Sequence, residues 1–109
     1  VSYAVGKEQC YTGNEITGER FFPGWLYDEK DEFVQDVKKE LEGMGYTPEI
    51  TQYNFCTNGS HYAGEAGIKT FGLGPSKENL AHTVNEYIEI DQLTKVTDCY
   101  YGVMKALLK

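Results

Sequence analysis

The chain has no long apolar run. Nothing in its 109 residues approaches the length of a membrane span, and no signal-peptide pattern opens it. Basic clusters are missing too. A net charge of −7 with scattered Lys and Arg excludes the basic patch that nucleic-acid phosphate requires, so neither nucleic acid nor membrane is expected as a partner. Cysteine is sparse: Cys10, Cys56 and Cys99 lie far apart with no CxxC, which argues against a disulfide framework or a zinc knuckle. They read as free thiols of a reducing cytoplasm, the expected location. HExxH, GxSxG, a P-loop and a dinucleotide fingerprint are all absent.

What remains has ordinary globular composition, 40% hydrophobic and 25% charged, enough for one small domain. No initiator methionine precedes Val1, and Val1–Gly6 is β-prone, so the numbering is expected to start inside a larger protein. A polar connector with Gly13 and Gly18 follows. Phe21 to Tyr27 is an aromatic cluster broken by Pro23-Gly24, read as a core anchor rather than a stacking platform.

Asp28 to Gly45 is expected to be helical, with Val34, Val37, Leu41 and Met44 on one face, Asp28 or Asp31 as cap, and glycines ending it. Ile50–Phe55 and Ile68–Leu73 read as strands, and His61–Ala66 as a short helical segment. A last helix runs from Asp91 to about Leu108, with Leu93, Val96, Tyr100, Val103 and Leu107 facing a sheet. The class is α/β. Because the strands are few, the sheet is expected to continue elsewhere, and the uncovered helix faces and sheet edge favour self-association.

Gly67–Asp91 is the functional centre of the chain. Gly72-Leu73-Gly74-Pro75 ends a strand, and a polar loop then delivers His82 beside Asn85 and Glu86. Open α/β sheets place ligands at such an edge. A lone histidine is more often structural, but Asn85 and Glu86 can orient an imidazole as metal-bound histidines require. His61 and Glu65, four apart, share a helix face and offer a weaker pair of donors. Cys56 has no base tied to it by sequence and reads as a small hydrophobe. Asn58-Gly59 supplies easy positive φ and free N–H groups, and with parallel strands it would line the same crevice as His82.

The runs Cys56–Ser60, Ala63–Ile68, Thr70–Pro75, Ala81–Glu86 and Ile90–Leu93, with H-x-x-N-E after a GxGP turn as the most specific piece, resemble the C-terminal part of the zinc-dependent metallopeptidase and amidohydrolase family 20. That family includes acetylornithine deacetylase, succinyl-diaminopimelate desuccinylase, aminoacylase and the glutamate carboxypeptidases. The nearest subgroup suggested is the selenium-metabolism-associated hydrolases.

The resemblance implies a partial catalytic-domain sheet flanked by helices, over residues 25–109. Residues 1–24 would be the end of an inserted lid or dimerisation domain, with its last strand. It implies a hydrolase of amide or peptide bonds using two zinc ions, or cobalt or manganese, on a small acylated amino acid or peptide-like substrate. A homodimer is compatible with it. His82 matches a metal-ligating histidine, Asn85 and Glu86 its supporting partners, and Asn58, Gly59 and Ser60 a substrate-side loop that holds a carboxylate or oxyanion. The other ligands and the general base have no counterpart here, so the chain is expected to be an inactive fragment. The contrasting expectation is a non-enzymatic α/β interaction module with a vestigial His82.

Overall fold

The computed structural model describes residues 1–108 and divides into two compact units. The first comprises Val1–Trp25 and Cys56–Thr70, and the second comprises Leu26–Phe55 and the chain from Phe71 on.

In the first unit β1 (Val5–Gln9) pairs antiparallel with β2 (Glu15–Glu19), Lys7 opposite Thr17. The reversal needs Gly13. Its φ of +84° follows a turn in which the Gly13 N–H donates to the Cys10 carbonyl at 2.9 Å, and the Cys10 N–H donates to Asn14 at 2.8 Å. The expected N-terminal strand is thus half of a hairpin, shifted to include Lys7–Gln9, and the supposed connector supplies the other half. Tyr3 and Phe21 stack beside it at 4.3 Å.

Trp25 anchors the rest of this unit. Its indole N–H donates to the Thr70 carbonyl at 3.2 Å, and its ring lies against Gly59, where a Cβ would sit 2.4 Å from Cη2. The expected helical segment is a π-helix over Ser60–Glu65, stopped by Gly67 at φ +65°.

The second unit contains α1 (Glu32–Gly43) and α2 (Ile90–Leu107), which pack on each other. Asp31 is the N-cap of α1 without a side-chain capping bond, and Asp28 shapes the turn before it by accepting the Lys30 N–H at 2.8 Å. The helix ends in a Schellman motif. Gly45, at φ +90°, donates to the Glu42 carbonyl, and Tyr46 donates to the Leu41 carbonyl, both at 3.0 Å. The core joins Val37, Leu41 and Ala106, with Met44, Tyr46, Phe71, Cys99 and Val103 packed around them.

Three expectations about the helices are corrected. Phe33, not Val34, is the first buried residue of α1. On α2 the buried positions are Val96, Gly102 and Ala106, while Leu93 and Tyr100 stay 45% and 43% exposed. Gly102 explains the rotation: a Cβ there would lie 2.6 Å from Met44 Sδ and 3.1 Å from Leu41 Cδ2, so the small residues of α2 let α1 approach. The helix meets α1 on this face, where a sheet was expected.

Ile50–Phe55 and Ile68–Leu73 are not strands; among the described residues the sheet has only β1 and β2. The Tyr53/Phe55 alternation instead reflects two rings stacked at 4.3 Å. The expected parallel pair, and the shared strand edge argued from it, therefore lose their basis. No described helix is long and apolar enough to cross a membrane.

Candidate functional site

The His82 loop lies in the second unit and is built from short local bonds. Ser76, at φ +77°, donates its N–H to Gln92 Oε1 at 2.6 Å and its hydroxyl to the Tyr87 carbonyl at 3.3 Å, tying the loop's entry to the start of α2. One 3-10 turn follows, Glu78–Leu80. The Leu80 carbonyl accepts the Thr83 hydroxyl at 2.8 Å, and the Thr83 carbonyl accepts the Glu86 N–H at 3.2 Å. In that turn Asn85 holds the third position at φ +61°, one that asparagine tolerates better than most residues.

His82 is also left-handed, at φ +59°, and its N–H donates to Glu86 Oε2 at 3.1 Å. For His82 the left-handed backbone costs up to about 1–2 kcal/mol, less for Asn85, and strain of this kind clusters at functional sites. His82, Asn85 and Glu86 are all exposed. A cavity of about 120 Å³ opens beside the loop, lined by Ser76, Lys77, Leu80, Tyr87, Glu89 and Gln92. Ligand pockets run from roughly 300 Å³ upward, so this one is smaller than a typical substrate site.

Asn58, Gly59 and Ser60 belong to the first unit. Gly59 has φ −56°, so the expected positive φ is not used; the residue must be glycine because Trp25 covers it. Two N–H groups of this turn are already engaged. Gly59 donates to Thr57 Oγ1 at 3.1 Å, and Ser60 to the Thr57 carbonyl at 3.0 Å. Ser60 is only 3% exposed, whereas Asn58 is exposed. His61 Nδ1 lies 3.0 Å from Glu65 Oε2, so the two residues read as a weak donor pair from their spacing contact each other, and the imidazole meets Phe22 edge-on at 5.9 Å.

Among the described residues no three His, Cys, Asp or Glu side chains gather to hold a metal ion. His82 offers one nitrogen, and zinc sites take about three or four protein ligands. Among the described residues, then, His82 has no second or third metal-ligating side chain gathered beside it. Sequence reasoning missed the bond from Glu86 to the His82 main chain and the Ser76–Gln92 tie. Only the Asn85 turn had a local signal.

The profile of Peptidase family M20/M25/M40 matches residues 5–106, and the chain belongs to that family. Over 77 residues it is 36% identical to the uncharacterised protein YgeY of Escherichia coli K12, covering 70% of this chain and 19% of that protein. It is 40% identical over 86 residues to N-formyl-4-amino-5-aminomethyl-2-methylpyrimidine deformylase of Halalkalibacterium halodurans, covering 76% of this chain and 19% of the relative. It is 27% identical over 95 residues to the uncharacterised protein YqjE of Bacillus subtilis, covering 87% and 25%. The chain thus spans about a fifth to a quarter of the length of these relatives. No solved structure matches it.

Proposed function

We propose that the chain is the C-terminal segment of a metal-dependent hydrolase that cleaves amide or peptide bonds of small acylated amino acids or peptide-like substrates, and that it is inactive alone. The observation that carries this reading is the family match over residues 5–106, with an exposed His82 held on a left-handed loop inside it. The deformylase relative, named for removing an N-formyl group, supports amide chemistry. His82 is one ligand of a metal centre, zinc or else cobalt or manganese, whose other ligands come from the rest of the protein. Bound metal supplies Lewis acidity at the scissile carbonyl. This chain's own residues present the imidazole.

Asn58 is the substrate-facing member of its turn, and Gly59 and Ser60 hold its frame. Asn85 and Glu86 support His82. Residues 1–24 are the end of a lid or dimerisation domain that gives a homodimer, residues 25–109 belong to the catalytic domain, and the protein is cytoplasmic. The test is hydrolysis of a panel of N-acyl amino acids and N-formyl amines by the full-length protein, with and without chelator. Chelator-sensitive release of free amine is expected. No turnover with any of the three metals would refute the reading.

A further inference from the structure

Three bonds within seven residues fix the backbone on which His82 stands. The Thr83 hydroxyl ties to Leu80, the Glu86 N–H closes a turn on Thr83, and the Glu86 carboxylate returns to the His82 N–H. In the last, an acidic side chain reaches four residues back to satisfy a main-chain donor, as the return arm of a capping box does over three residues at a helix start. Asn85 stands between, left-handed at φ +61°.

We propose that Glu86 is a positioning residue that acts through the main chain of His82, and that Asn85 acts through its own backbone conformation; this rests on the role of His82 proposed above. The requirement at 86 is then an acceptor at the right reach, not a negative charge. A glutamine amide oxygen meets it and an alanine does not. The requirement at 85 is a residue that tolerates positive φ. Glycine meets it, and a β-branched residue does not. A carboxylate acting on the imidazole or on a metal would behave oppositely, because glutamine would lose the charge on which that role depends.

The test is amide hydrogen exchange at His82, followed by NMR in this chain, with amides of α2 as the control for global unfolding. Glu86→Ala should speed exchange at His82 by roughly five- to tenfold, the loss of one hydrogen bond to a charged group at an exposed site. Glu86→Gln should stay within about threefold of wild type, since a neutral acceptor is about half as strong. Asn85→Gly should resemble wild type and Asn85→Val should resemble Glu86→Ala. In the full-length protein Glu86→Ala should lower activity on the order of tenfold to a hundredfold, with Glu86→Gln restoring most of it. Unchanged exchange at His82 in Glu86→Ala overturns the proposal. So does a Glu86→Gln variant as damaged as Glu86→Ala, because charge would then be the active property. A fully active His82→Ala protein overturns the role of His82 itself, and the exchange pattern separates that failure from a failure of the loop argument.

Discussion

Gly59→Ala should destabilise the first unit, because of a tryptophan and not because of backbone torsion. Gly59 sits at φ −56°, ψ −27°, which any residue adopts. A Cβ built there lies 2.4 Å from Trp25 Cη2, 2.6 Å from Cζ2 and 3.0 Å from Thr57 Oγ1. The indole is a rigid plate held at its other end by the bond from Nε1 to the Thr70 carbonyl, so it cannot swing aside without loosening that bond. Overpacking of this kind costs about 1–3 kcal/mol. Restricting the unfolded chain returns about 0.4–1 kcal/mol. The net expectation is a loss of up to about 2.6 kcal/mol, centred on about 1.3 kcal/mol. Trp25 is the sole tryptophan, so its emission reports the displacement directly while denaturant unfolding gives the free energy. In a Trp25→Leu background the ring is gone, and Gly59→Ala should then be near neutral or stabilise by up to about 1 kcal/mol, the chain-restriction gain being opposed only by the 3.0 Å contact with Thr57 Oγ1. An unshifted emission with an unchanged midpoint, or equal costs in the two backgrounds, would refute the reasoning.

Other substitutions follow the same logic. Gly43 ends α1 with open space around it, so Gly43→Ala should stabilise by up to about 1 kcal/mol, whereas Gly45→Ala, at φ +90°, should cost about 1–2 kcal/mol; thermal unfolding followed by circular dichroism separates the two. Burial pushes the Cys99 thiol up, with Asp98 adding to it, and Cys56 is exposed. Iodoacetamide at neutral pH should therefore label Cys56 before Cys99, and the reverse order in a peptide map would contradict the packing. The hydrogen bond and charge of Lys95 hold the Asp91 carboxyl below its usual range. A carboxyl lowered on folding stabilises above its unfolded value, so this support of α2 is lost as pH falls through the lowered folded value. In an NMR titration Asp91→Asn should flatten the acid limb of α2 unfolding.

Legibility in the sequence differed by element. Helical periodicity located both helices, since Val37 and Leu41 repeat as a buried stripe must. On α2 the pattern found Val96 and Val103, which do pack inward, but missed Gly102 and Ala106, because small residues carry little apolar weight in a pattern though close helix approach depends on them. The hairpin was hard to read because β2, Glu-Ile-Thr-Gly-Glu, has neither face buried and so no alternation. Tyr53 and Phe55 gave a false alternation, since their rings stack on each other across a bend at Asn54 and Phe55 with no ladder partner. For the site, motif spacing marked His82, Asn85 and Glu86 together. It could not reveal that His82 is left-handed or that Glu86 reaches the main chain, because both depend on three-dimensional closure of the loop.

The central claim is that His82 is one ligand of a metal centre completed elsewhere in the protein. Metal content by equilibrium dialysis, measured on this chain, on the full-length protein and on full-length His82→Ala, tests it most directly. The account predicts no tight zinc binding by this chain, about two ions in the full-length protein, and loss of at least one ion with hydrolysis abolished in His82→Ala. Stoichiometric tight zinc in this chain, or unchanged metal content and activity in His82→Ala, would contradict it.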